Sequence, residues 1–303
     1  MVFQATILGI SSSIPLKDRN HTCLAIKYDG EVILFDAGEG VQQQLMRCKV
    51  SNMEINKIFI THFHADHFLG LPGLLATMSL HKREYPLIIF GPNGVQKRIS
   101  KLLELYEIQP SYEIKYQELS NGIVYENKEY QILARRVKHL LETYAFVFKE
   151  KDKVGKFLKE KALALGIPEG PLYSELKEGK TIKFEGRKIT PEEVMDYGSV
   201  KRGKSLGYIV DCYDHHYEDF LQNIYVLFHE AMFMKKDLLQ AKKTKHSVTE
   251  DVGKIASNAK VKKLILFNFS ARYNDLNPLL YEVQSYYPDA ELGEELKTYK
   301  IKD

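Results

Sequence analysis

The stretch Ile58–Leu75, IFITHFHADHFLGLPGLL, constrains this chain more than any other. His62, His64, Asp66 and His67 fall within six residues and are bounded on both sides by apolar runs. Ile58, Phe59 and Ile60 read as the end of a buried strand, and Leu69 to Leu75 as the start of a helix or a tight turn into one. The polar cluster then sits where a strand gives way to a loop, which is where open α/β folds place their chemistry. Side chains alternate along an extended segment, so His62 and His64 point the same way and can share one ion. Asp66 and His67 come after the chain has turned and can face a second ion beside the first. Zinc takes imidazole nitrogen and carboxylate oxygen, and two adjacent metals clamp a displacement at phosphorus. The bland alternative, a solvated polar loop, has no need of the spacing H-x-H-x-D-H.

The run His62-Phe63-His64-Ala65-Asp66-His67 resembles the signature of the metallo-β-lactamase superfamily, whose members are mostly dinuclear zinc hydrolases. The continuation Phe68-Leu69-Gly70-Leu71-Pro72-Gly73-Leu74-Leu75 resembles the ribonuclease Z family of tRNA 3′-processing endonucleases. The resemblance implies an α/β fold, a four-layer αββα sandwich over residues 1–303 interrupted by an inserted flexible arm. It also implies two zinc sites. A lone histidine is ordinarily structural, but His139, followed by Tyr144-Ala145-Phe146-Val147-Phe148, resembles a further family motif, which assigns it to the first zinc with His62 and His64. Val210-Asp211-Cys212 keeps only the aspartate of the family's G-D-T, and Asp211 is the carboxylate implied to bridge both ions. Asp36, in Phe35-Asp36-Ala37-Gly38-Glu39-Gly40, reads on its own either as a turn former or as a partner that orients a metal-ligating histidine; the resemblance favours the second.

Asn268, which opens Asn268-Phe269-Ser270-Ala271-Arg272-Tyr273, stands where the family carries the last histidine of the second zinc. An amide carbonyl is a weaker ligand than imidazole, so the second ion is expected to be held less tightly. Natural divergence and a deliberately inactivated chain both account for it. His229-Glu230-Ala231 and Lys245-His246-Ser247 resemble two more family motifs, in which Glu230 orients His246 as the general acid; Asp66 is placed with them among the catalytic residues. Ser247 and Glu250 also have the S-x-x-E spacing of a capping box. Pro15-x-Lys17-x-Arg19-Asn20 resembles the family's P-x-K-x-R-N loop. Lys17, Arg19, Asn20, Ser270 and Arg272 are accordingly candidates for holding phosphates, against the plain reading of surface polar groups.

The 303 residues suit one large domain or two modest ones, and no apolar run reaches the roughly 20 residues that span a bilayer. The segment Met1 to Gly9 lacks the features of a signal peptide, so the cytosol is the expected location. Cys23, Cys48 and Cys212 are too few and too scattered for a disulfide framework or zinc ribbon. A net charge of +3 does not announce a nucleic-acid binder, so an RNA surface must come from local segregation of charge. Glu150 to Ser205 holds thirteen Lys/Arg against ten Asp/Glu. A Gly/Pro cluster at Leu165–Leu172 stops a helix expected from about Lys156. By itself this segment is either a structural excursion or a phosphate-gripping surface. The resemblance makes it the arm that holds tRNA.

The resemblance thus implies hydrolysis on the 3′ side of the tRNA discriminator nucleotide, with His246 protonating the departing 3′ oxygen, precursor tRNA as partner and a homodimer. Two alternatives remain. A small-substrate phosphodiesterase of the superfamily would share the histidine cluster without the arm. A catalytically weakened tRNA-binding homologue would account for Asn268.

Overall fold

A computed structural model describes residues 2–213 and 217–301 of the protein. The chain forms two compact units, one drawn from both ends of the sequence and the other from Glu150–Gly203. The larger unit contains two seven-stranded sheets. In the first, the strands run Thr298–Lys300, Phe3–Gly9, Cys23–Tyr28, Glu31–Phe35, Ile55–Phe59, Leu87–Gly91 and Ile114–Glu118 from edge to edge. The second runs Glu291–Leu292, Leu264–Phe267, Val226–Glu230, Ser205–Ile209, Thr143–Glu150, Tyr130–Val137 and Gly122–Glu126.

The period of two in these strands builds the layers. Along Glu31–Phe35, Val32 and Leu34 join a core with Leu45, Leu74 and Ile99 from the helices Val41–Arg47, Leu71–Leu80 and Val95–Leu105. Ile33 and Phe35 face the other way, into a core shared with the second sheet. There the Phe35 ring lies 5.1 Å from that of Phe146 and 5.3 Å from that of Tyr208. Outside the second sheet, Val252, Ile255, Leu279 and Val283 from the helices Thr249–Asn258 and Asn277–Gln284 add the fourth layer. The unit is therefore an αββα sandwich. Among the described residues, no helix is long and apolar enough to cross a membrane.

What matters for a site is strand direction. Glu31–Phe35, Ile55–Phe59 and Leu87–Gly91 are parallel, as are Ser205–Ile209, Val226–Glu230 and Leu264–Phe267. The carboxyl ends of each parallel set open on one edge, so residues far apart in sequence leave the sheet at the same rim.

The smaller unit has its own core of Ala162, Ile167, Tyr173, Leu176, Ile182, Ile189 and Val194. Lys153–Phe157 pairs with Met195–Lys201, which moves the expected helix start from Lys156 to Lys159, because a ladder partner claims the residues before it. Gly166, at φ 77, follows the end of that helix and Pro171 starts the next, so the Gly/Pro cluster separates two helices. Ile182–Phe184 and Arg187–Ile189 form a hairpin that sets Lys183 directly opposite Lys188.

Candidate metal centre

Three of the parallel strands deliver a polar residue by a similar turn. Asp36, Asp211 and Asn268 follow strand ends with φ of 63°, 47° and 54°. This left-handed conformation is one that Asp and Asn tolerate better than most residues. His64 has extended backbone at the start of the one-turn helix Ala65–Phe68, which carries Asp66 and His67. The short helix thus turns the second pair away from the line of the first.

Four donors converge. His62 Nε2 lies 2.9 Å from His64 Nδ1, and His64 Nδ1 lies 3.2 Å from His139 Nε2. Asp211 Oδ2 lies 3.3 Å from His62 Nε2 and 3.5 Å from His139 Nε2. Zinc–nitrogen bonds at tetrahedral angles would set neighbouring donors about 3.3 Å apart, so these four suit one zinc ion. The remaining ring nitrogens of two of these histidines are held from behind: Thr61 Oγ1 lies 3.0 Å from His62 Nδ1, and Lys245 O lies 2.9 Å from His139 Nδ1. Such contacts fix ring orientation and tautomer. Burial, then the neighbouring His67, push the His62 imidazole down to about 3, so it stays neutral with a lone pair to offer.

His67 faces Asp36, with Nδ1 2.8 Å from Asp36 Oδ2. Asp36 is fully buried and also accepts from Tyr208 Oη at 3.0 Å and from the Thr61 amide at 2.8 Å. Burial opposes a charge on His67, but the carboxylates of Asp36, Asp211 and Asp66 together outweigh it and hold the imidazole well above its ordinary value. Among the described residues His67 Nε2 has no hydrogen-bond partner, and it lies 3.3 Å from Asp66 Oδ2 and 3.6 Å from Asp211 Oδ2. A buried imidazole nitrogen aimed between two carboxylates suits a cation there.

Asn268 differs from the ligand expected at its position. Its Nδ2 donates to Asp211 Oδ1 at 2.6 Å, and its carbonyl accepts from Thr22 Oγ1 at 2.8 Å. A carboxylate only accepts, so the amide nitrogen must face Asp211 and the oxygen is turned toward Thr22. Asn268 thus holds the Asp211 carboxylate through its amide nitrogen, and its carbonyl oxygen is engaged by Thr22.

Glu230 and His246 meet beside the first cluster. His246 Nδ1 donates to Glu230 Oε2 at 2.9 Å and lies 3.8 Å from Asp211 Oδ1. Glu230 Oε1 accepts from the amides of Cys212 and Ser247 at 2.9 and 2.8 Å. Burial pulls the His246 imidazole down, but Asp211 and Glu230 prevail and push it up to about 9. The capping box expected of Ser247 and Glu250 does not form. Ser247 Oγ instead donates to Cys212 O at 2.5 Å, and Glu250 pairs with Lys235 and Lys254, each at 2.7 Å. Those partners are distant in sequence or lie on the exposed helix face, and they outcompete the local cap.

The phosphate candidates divide. Lys17 is exposed. A cavity of about 310 Å³ is lined by His246 together with Ser12, Phe233, Ser270 and Arg272. Arg272 also pairs with Asp237 at 3.0 Å. Arg19 and Asn20 depart from the expectation. Arg19 is buried, and its guanidinium donates to the carbonyls of Tyr273 and Asn274 at 2.8 and 2.7 Å. Asn20 Nδ2 donates to Glu295 Oε2 at 2.8 Å. Both tie their loop to the sandwich, a role invisible in residue type alone. Thr61, Tyr208 and the Lys245 carbonyl were not legible as site residues, since each acts through a neighbour. His21, which is buried close to Asp66, carried no motif.

A family model described as anti-Pycsar protein Apyc1 matches residues 3–152. Ribonuclease Z of Methanosarcina acetivorans is 36% identical over 99% of this chain and 98% of its own length. Ribonuclease Z of Borrelia recurrentis is 38% identical over 100% of this chain and 99% of its own. The crystal structure of the short form of human tRNase Z superposes with a TM-score of 0.70 at 22% identity, covering 99% of this chain and 100% of that one. That likeness is one of fold.

Proposed function

The chain belongs to the ribonuclease Z family, and from that premise we propose that it is a zinc-dependent endoribonuclease that removes the 3′ trailer of precursor tRNA. The observation that carries this reading is the contact of the Glu230–His246 pair with the metal cluster on one side and the cavity of Ser270 and Arg272 on the other. His62, His64, His139 and Asp211 would hold one ion, with Asp66, His67 and Asp211 as donors to a second. When bound, these ions supply Lewis acidity, lowering the pKa of water and neutralising charge on phosphate oxygens.

The chain's own groups do the rest. Asp211 directs Oδ2 to the first cluster while Asn268 holds Oδ1. Glu230 fixes the His246 Nδ1–H, leaving Nε2 to protonate the departing 3′ oxygen of the tRNA. Water's oxygen joins the phosphorus as the P–O3′ bond breaks, so the tRNA keeps a 3′-hydroxyl and the trailer a 5′-phosphate. Ser270 and Arg272, which line the cavity beside His246, and the exposed Lys17 would meet phosphates. In the smaller unit, exposed Lys183 and Lys188 face each other across the hairpin. Like charges opposite one another destabilise a ladder, and an RNA phosphate between them would relieve this. The cytoplasmic location expected from the sequence and the homodimer that the resemblance implied belong to the same proposal.

A small-substrate phosphodiesterase is the second reading, favoured by the location of His62, His64, His139 and Asp211, all of which lie outside Glu150–Gly203. Turnover of precursor tRNA beside that of a generic phosphodiester, both with zinc supplied, separates them. Precursor tRNA is expected to be favoured by at least ~100-fold in kcat/KM. Cleavage of the small diester with intact precursor would overturn the proposal.

A further inference from the structure

The second metal position lacks an imidazole at 268, and the structure offers another close by. His21 is 7% exposed, yet among the described residues neither of its ring nitrogens has a hydrogen-bond partner. Leaving such a group buried and unpaired costs on the order of 1–3 kcal/mol, and one nitrogen of a neutral imidazole always carries a lone pair. Its location is fixed by backbone. His21 pairs with Ser11, which also bridges to Phe269, the neighbour of Asn268. The next residue, Thr22, is the one that occupies the Asn268 carbonyl. From the other side, a Cβ placed on Gly38 would stand 2.2 Å from the Asp66 carbonyl oxygen and 2.7 Å from His21 Cβ. Glycine at 38 is therefore what lets His21 and Asp66 come together. Asp66, then His67, then Glu39 are the charged groups that act on the His21 ring.

We propose that His21 is a ligand of the second metal, serving with Asp66, His67 and Asp211 in place of the residue at 268. This rests on the reading of the site as a metal-dependent hydrolase. Three observations support this assignment: among the described residues neither ring nitrogen of His21 nor Nε2 of His67 has a hydrogen-bond partner, and the amide of Asn268 is engaged elsewhere. Among the described residues, the donor atoms of His21, Asp66 and His67 do not already converge as those of the first cluster do. The His21 ring would turn inward to hold the ion, a movement that no hydrogen bond among the described residues opposes.

The test is metal stoichiometry, independent of turnover. Metal-free protein is titrated with zinc and with cobalt(II), the latter followed by its visible ligand-field bands, for the native chain, His21→Val, and His21→Val with Asn268→His. The native chain is expected to bind two equivalents. His21→Val should keep the first and weaken the second by ~100-fold or more, and the double variant should regain it. Thermal denaturation of each metal-free variant reports folding, and recovery in the double variant separates removal of a ligand from misfolding. Two equivalents of unchanged affinity in His21→Val would overturn the proposal, as would a single equivalent in the native chain. The second result leaves the hydrolase reading standing on the first cluster. A native chain that takes up no metal overturns both.

Discussion

His246 keeps its proton because two carboxylates, Asp211 and Glu230, outweigh the burial that would strip it. Two consequences belong to this residue. His246→Gln is expected to lower kcat on precursor tRNA by about 10²–10⁴-fold with a smaller change in KM, and a substrate with a leaving group that needs no proton should be slowed less. Single-turnover rates on both substrates check this. The second consequence concerns stability. In the metal-free protein the folded value of about 9 lies above the ordinary 6.5. The charged imidazole then stabilises the fold fully below pH 6.5, and this contribution is lost as pH rises through about 9. Urea denaturation across that window should show the slope in the native chain and a shallower one in His246→Gln. Tyr208 offers a test of support from behind. Tyr208→Phe removes the hydrogen bond to Asp36, which holds His67. Competition with a chelator should find metal affinity lowered by about 10-fold or more with the fold intact.

At the scale of elements, the site depends on how closely one loop lies on another. A Cβ on Gly38 would meet the Asp66 carbonyl at 2.2 Å, and one on Gly70 would meet the Gly38 carbonyl at 2.0 Å. Gly38→Ala must therefore displace the Ala65–Phe68 turn. It is expected to cost about 1–3 kcal/mol of stability and to weaken binding at the proposed second metal site; calorimetric unfolding and metal content measure the two. The strands that position these loops were legible, because short apolar runs ending in Asp36, Asp211, Glu230 and Asn268 mark strand exits without help from tertiary structure. What the loops do was less so. Arg19 reads as a cation for phosphate, yet its guanidinium closes on two carbonyls more than 250 residues away. The Ser247–Glu250 spacing reads as a cap, yet both side chains find stronger partners elsewhere. Asp36 is a clear turn residue, but Tyr208, its donor, lies 172 residues along the chain. Sequence spacing carries local preference, and packing across the sandwich overrides it.

At the scale of the whole molecule, the proposed function divides the work between two compact units: the sandwich cuts, and Glu150–Gly203 contributes grip on RNA. Replacing Lys183 and Lys188 by alanine should weaken binding of precursor tRNA and lower the slope of log affinity against log salt by about 1 for each phosphate no longer neutralised. Hydrolysis of a small diester should be unchanged. The proposed reaction is tested by mapping the ends produced when the zinc-loaded protein meets a precursor tRNA with a 3′ trailer. One cut after the discriminator nucleotide is expected, with a 3′-hydroxyl on the tRNA and a 5′-phosphate on the trailer. An intact precursor, or a tRNA fragment ending in a 3′-phosphate, would contradict it.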